Sequence, residues 1–303
     1  MQNWKIYLSG YQSYLLLEQS LSVHTAEAYQ GDIAKLIRFF QINGNDISPL
    51  AVEYQHLSDF LVWLNELGLS VRSQSRIISA LKSFYKYLTL EGVCENDPTS
   101  LITLPKMGRY IPEVLSYEEI QKMLEAVDLS HPQGHRNRAI LETLYACGLR
   151  VSELTALRLS GLYLDIGFIK VIGKGDKERI IPIGERAIKH IEIYRDNVRA
   201  LQKNIKPSAV DTLFLNRRGA PLSRVMVFNI VKDTAQRAGI KKTVSPHTFR
   251  HSFATHLIEG GADLKAVQDM LGHASIITTE IYTHLDTDYL RSTIMQFHPL
   301  NKK

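Results

Sequence analysis

Apolar residues recur every three or four positions along the first stretch of the chain, the spacing of helices that bury one face. Trp4, Leu8, Tyr11 and Leu15 form the first stripe. Ser22 is placed to cap a second helix with the apolar face Val23, Ala26, Tyr29, Ile33, Leu36, Ile37 and Phe40, and Asn43-Gly44-Asn45 ends it. A third helix runs from near Leu57 to Leu67, with Gly68 as its stop. A fourth, Arg72 to Leu90, shows Ile77, Ile78, Leu81, Phe84, Tyr85 and Leu88. Its polar side carries Arg72, Arg76, Lys82 and Lys86, which by themselves read as a solvated helix surface.

The helical period stops at Asn96. From there to Pro112 the chain holds Pro98, Pro105 and Pro112 with the cations Lys106 and Arg109, and reads as an extended interdomain linker. Helical spacing resumes after Ser116-Tyr117-Glu118-Glu119, a capping box ahead of Ile120, Met123, Leu124 and Val127. Helices are expected over Arg136–Ala146 and Val151–Leu159. The period then changes to that of strands: Phe168–Ile172 and Arg179–Ile183 flank Gly173-Lys174-Gly175-Asp176-Lys177, a β-hairpin with a glycine-rich turn. A helix from Glu185 to about Lys203, a short strand at Leu213–Leu215 and a helix over Arg224–Ala238 follow. Pro246 sits just inside another helix start, Asp263–Leu271 forms the next, and Thr287–Phe297 the last. The expected fold is mainly α with a small β-hairpin or sheet (α+β), in two domains: 1–95, helical, and 113–303, joined by a linker at 96–112.

Composition narrows the class. The chain has 303 residues, enough for two cores, and an apolar share of 45%, ordinary for a globular protein. A net charge of +5 fits either a basic soluble protein or a binder of polyanions. Two distant cysteines, Cys94 and Cys147, make neither a disulfide framework nor a metal pair, which points to a reducing compartment. The polar N-terminus and the lack of any long apolar run predict no signal peptide and no membrane span, hence a cytoplasmic location.

The chemistry concentrates between Val244 and Thr283. His247 and His251, four apart, could face a metal from one helix, but the zinc-protease pattern needs a glutamate where Thr248 stands. His247 and Arg250, three apart, also share a face, and a guanidinium with a histidine beside it suits a phosphate. Lys174 lies on a Gly-Lys-Gly turn that is not a nucleotide loop, because Gly175 replaces the required Ser or Thr and a strand follows. Tyr282 could be a packing residue or a nucleophile. As a nucleophile its phenol needs help, since its ordinary pKa is about 10, and nearby arginines would supply it.

Taken together, Tyr145-Ala146-Cys147-Gly148-Leu149-Arg150-Val151-Ser152-Glu153-Leu154, Gly173-Lys174-Gly175, His247-Thr248-Phe249-Arg250-His251, Leu271-Gly272-His273 and Tyr282 resemble the tyrosine recombinase (phage integrase) family, in its XerC/XerD-like branch. The resemblance covers nearly the whole chain. It implies a C-shaped clamp on duplex DNA, with a helical SAM-like core-binding domain and a catalytic domain. It implies that Tyr282 attacks a phosphodiester to give a 3′-phosphotyrosine, that Arg150, Arg250 and His273 hold the phosphate, that Lys174 protonates the leaving 5′-oxygen and that His247 assists. Glu153 would orient Arg150, and His251 would be structural. Arg72, Arg76, Lys82, Lys86, Lys106 and Arg109 would contact DNA. No cofactor, metal or ATP is implied. The implied partners are a double-stranded recombination site, a homo- or hetero-tetramer with a second Xer-type recombinase into which the last helix docks, and an FtsK-like DNA translocase. Chromosome-dimer resolution is the expected role, with a mobile-element integrase as the alternative. A type IB topoisomerase, a non-catalytic DNA binder and a metallohydrolase are weaker rivals.

Overall fold

Helix propensity and apolar spacing act together in the first part of the chain. The computed structural model describes residues 2–105, 113–173, 176–272 and 284–301. Contacts divide the chain into two units, Met1–Tyr110 and Ile111–Lys303.

In the first unit four helices, α1 (Gln2–Ser13), α2 (Val23–Ile42), α3 (Tyr54–Glu66) and α4 (Val71–Leu90), surround one core. Ser22 caps α2 and Ser70 caps α4, each hydroxyl accepting the amide three residues on. α4 supplies the centre of that core, with Ile77, Leu81, Phe84, Tyr85 and Leu88 fully buried. Trp4 stacks on Phe84, and Trp63 packs on Phe39 and Phe60. A turn of π-helix (Tyr14–Glu18) extends α1. The stretch expected to open the linker stays with this unit as far as Ile102, which is buried in its core. Asp97 holds Thr99 through both its amide and its hydroxyl.

The second unit opens with α5 (Tyr117–Glu125), whose expected Ser116/Glu119 capping box is formed. α6 (Gly134–Cys147) is buried nearly all round and is the axis of the unit. It ends at Gly148, in the left-handed conformation (φ +58°). α7 is shorter than expected, Val151–Thr155, because the following apolar residues enter irregular structure. Leu157 accepts a backbone bond from Leu213, and residues 159–161 form a 3-10 turn. The sheet has three antiparallel strands in the order β1 (Leu162–Tyr163), β2 (Phe168–Ile172) and β3 (Glu178–Pro182); the two-residue β1 was not foreseen. Leu213–Leu215, expected as a strand, makes only isolated bridges on either side. α8 (Glu185–Tyr194) passes into a π-helical turn at Arg195–Arg199, short of the expected end. α9 (Arg224–Arg237), α10 (Pro246–Glu259), α11 (Leu264–Leu271) and α12 (His284–Phe297) complete the unit. Leu290 and Ile294 of α12 are buried in this unit's own core. Behind α12, buried His298 packs against Tyr145 with the rings tilted and their centroids 4.7 Å apart.

Both cysteines are free. Among the described residues no helix is long and apolar enough to cross a membrane.

Candidate active site

The site begins at a helix break. Gly148 lets the chain reverse after α6, and Arg150 stands as the N-cap of α7 with extended backbone angles. One turn on, Glu153 folds back under it. Glu153 Oε2 accepts the Arg150 amide and Oε1 accepts Arg150 Nη1, both at 2.9 Å. Glu153 is 3% exposed, so its charge needs compensation.

Most of that compensation comes from Arg179, which had been read only as the start of a strand. Its guanidinium is bidentate on Glu153, Nη1 to Oε1 at 2.8 Å and Nη2 to Oε2 at 2.9 Å. A carboxylate offers about four lone-pair positions. Two donors from Arg150 and two from Arg179 fill them. Burial pushes the Glu153 carboxyl up, but the hydrogen bonds and charge of Arg179, with those of Arg150, hold it below the usual range. The signal for Arg179 was in the strand period. Residues 179 and 181 share a face, Ile181 is core, and Arg179 pairs in register with buried Val171.

Arg250 enters from the second turn of α10, whose first turn is set by Pro246 and by the Ser245 cap. It too is buried, yet makes no hydrogen bond to the carboxylate. Nη1 donates to Gly148 O at 2.8 Å and Nη2 to Leu271 O at 2.6 Å, while Nη1 lies 4.0 Å from Glu153 Oε2. Burial and the neighbouring Arg150 charge pull its pKa down to about 10, which leaves it a cation at neutral pH.

The three arginines converge on the last carbonyls of α11. Met270 O accepts from Arg179 Nε at 3.0 Å, Leu271 O from Arg250, and Gly272 O from Arg150 Nη2 at 3.4 Å. A helix end leaves its final carbonyls without intrahelical partners and carries partial negative charge, so three guanidinium groups suit it. Gly272 is left-handed (φ +65°), and a Cβ there would come within 3.1 Å of the Arg179 guanidinium. Gly173, next before Lys174 in the chain, lies beside the same side chain: its Cβ would make an ordinary contact, 3.4 Å, with Arg179 Nη1.

His247 is exposed on the first turn of α10. Partial burial, then His251, Arg250 and Arg150, push its imidazole below the ordinary range, which favours the neutral ring. His251, expected to be structural, is exposed. The buried histidine of this helix is His256, whose Nδ1 lies 2.7 Å from the Tyr145 hydroxyl. Lys174, His273 and Tyr282 lie outside the described residues, as do Lys106 and Arg109. On α4, Arg72, Arg76 and Lys86 are exposed and Lys82 half-buried. At 100° per residue the four fall within an arc of about 120°. Arg76 Nη2 is held at 3.0 Å by buried Asp32 of α2, which also takes Lys35. Among the described residues no three His, Cys, Asp or Glu side chains are grouped to hold a metal ion.

This arrangement can hold a tetrahedral oxyanion between two cationic forks and stabilise further negative charge as it develops. The profile of the phage integrase family matches residues 113–288, and that of the phage integrase N-terminal SAM-like domain matches residues 8–92. The chain is 44% identical to a tyrosine recombinase XerD of Chlorobaculum tepidum, over 98% of this chain and 97% of that protein. It is 41% identical to a tyrosine recombinase XerD of Listeria monocytogenes, over 96% and 98% respectively. Among solved structures it is similar to a XerH site-specific recombinase bound to palindromic difH substrate in a post-cleavage complex. There the TM-score is 0.69 at 27% identity, with 91% of this chain and 81% of that one covered.

Proposed function

The chain belongs to the phage integrase family, as a site-specific tyrosine recombinase that cuts and rejoins DNA, and we propose that it does so through Tyr282 and the arginine cluster around Glu153. The observation that carries this reading is the convergence of Arg150 and Arg250 on the chain segment that leads directly into His273.

The chemistry balances without an external energy source. The Tyr282 oxygen forms a bond to phosphorus as the bond to the 5′-oxygen breaks, leaving a 3′-phosphotyrosine and a 5′-hydroxyl. His247, held neutral, accepts or relays the phenolic proton, and Lys174 gives a proton to the departing oxygen. Arg150, Arg250 and His273 bind the non-bridging oxygens, where the transition state gathers charge. One phosphodiester replaces another, so the reverse attack by a 5′-hydroxyl rejoins DNA with no ATP. The guanidinium groups do the charge neutralisation, so the reading needs no metal.

The cations of α4, Arg72, Arg76, Lys82 and Lys86, with Lys106 and Arg109 beyond it, would contact phosphates of a double-stranded recombination site. Likeness to proteins named XerD supports work in the cytoplasm on chromosome dimers at segregation. As partners we propose a tetramer, formed with its own kind or with a second Xer-type recombinase, and an FtsK-like translocase. We assign residues 1–95, with the stretch to Ile102 that packs into the same core, as the core-binding domain and 113–303 as the catalytic domain.

The test is covalent trapping. Nicked chromosomal fragments from the source cell are incubated with the protein, denatured, and the DNA bound to protein is sequenced. Wild type should retain DNA ending at one recurrent site, and Tyr282→Phe should retain none. No adduct with wild type, or equal adduct with Tyr282→Phe, refutes the reading.

A further inference from the structure

Arg179 is the one member of the arginine cluster that the reaction outlined above does not use. It is 7% exposed, and all three of its donor-bearing nitrogens are engaged inside the protein. It touches three segments at once. Through Glu153 it reaches Arg150, through Met270 O and Gly272 it meets the chain entering His273, and Gly173 beside it opens the turn bearing Lys174.

Building on the functional reading above, we propose that Arg179 is a positioning residue: it saturates Glu153 so that the carboxylate orients Arg150 without capturing Arg250. The geometry carries the point. With Arg179 in place, Glu153 has no acceptor position left, and Arg250 Nη1 stops 4.0 Å from Oε2, bonded instead to backbone carbonyls. Without Arg179, two acceptor positions open on a buried carboxylate, and Arg250 is the cation near enough to fill one. An Arg250 closed onto Glu153 would present less charge, in the wrong direction, to a scissile phosphate. The charge count says the same. Arg150, Arg250 and Arg179 against Glu153 leave the cluster with two net positive charges for one phosphate; removing Arg179 leaves one.

The prediction is a charge-specific defect. Two nicked duplexes carry the sequence recovered by trapping, one with an ordinary scissile phosphodiester and one with a methylphosphonate, which has no charge there. Arg179→Met should slow cleavage of the phosphodiester by about 10–100-fold, the range seen when residues behind a metal ligand are removed. It should slow the methylphosphonate much less, because a neutral centre asks less of Arg250. Adding Glu153→Gln to Arg179→Met should restore part of the lost rate, since an amide does not draw a guanidinium as a carboxylate does. Equal slowing of both substrates, or a double variant no faster than Arg179→Met, overturns the proposal. If Arg179→Met does not fold, Arg179→Lys is measured the same way. A lysine keeps the charge but not the fork, leaves one oxygen open, and should show the same substrate-selective loss; equal loss again overturns it. Failure of the parent protein to cut the phosphodiester duplex would instead refute the functional reading on which this rests.

Discussion

Gly148 concentrates two demands in one residue, and Gly148→Ala should therefore be unusually costly for the addition of a single methyl group. Its backbone is left-handed at φ +58°, where an L side chain pays about 1–2 kcal/mol. A Cβ at this position would also lie 2.4 Å from Phe253 Cδ1, and ring atoms at 2.8 and 2.9 Å close the other exits. Phe253 is fully buried, so relief requires a core ring to move; overpacking of this kind costs about 1–3 kcal/mol. The sum is about 2–5 kcal/mol. Because Gly148 O holds Arg250 Nη1, the strain should also reach the site. Urea unfolding followed by circular dichroism measures the loss, and amide exchange of α6 and α10 localises it. A second substitution, Phe253→Leu, should be less harmful in the Gly148→Ala background than alone, because the smaller side chain relieves the clash but not the backbone strain. A Gly148→Ala protein within 1 kcal/mol of the parent, or no coupling to position 253, would refute this account.

His298 should make the anchoring of α12 sensitive to acid. Burial holds its pKa near 4, below the ordinary value of 6.5, so the unfolded chain binds a proton that the folded one does not. Stability from this group is complete above pH 6.5 and falls as pH drops toward 4, by about 2 kcal/mol at pH 5. The protection factors of α12 amides, exchange rates corrected for the intrinsic slowing of exchange in acid, should fall over that window, and His298→Phe should remove that part of the fall; an unchanged profile would count against it. Lys174→Ala should slow strand cleavage on an ordinary substrate but not on one with a 5′-thio leaving group, which departs without a proton; absence of rescue would remove Lys174 from the general-acid role.

The parts of the fold legible in the sequence are those governed by local rules. The core face of α4 followed from apolar spacing, the starts of α2 and α5 from their caps, that of α10 from Pro246, and the end of α6 from Gly148. Elements set by distant partners were not legible. Two-residue β1 has no period to read, and Leu213–Leu215 is apolar because it is buried, not because it pairs along its length. The same division holds in the site. Arg150 and Arg250 stand out by motif, whereas Arg179 looks like a polar residue at a strand start. Its inward direction follows only once the face of Ile181 is taken as the core. Asp32, which holds Arg76 from another helix, gave no local signal at all.

The pairing of Glu153 with Arg179 also limits how the chain can drift. Replacing either partner alone leaves a buried charge short of the bidentate partner that supplies most of its compensation, at about 3–5 kcal/mol, a large share of a typical domain's whole stability. Neither position can be exchanged through a tolerated single step, so the two should change together or stay put. A homologue that had lost the arginine would be expected to have neutralised the glutamate as well, or to have found another cation to lie against it. Among relatives, the pair at 153 and 179 should behave as one inherited character.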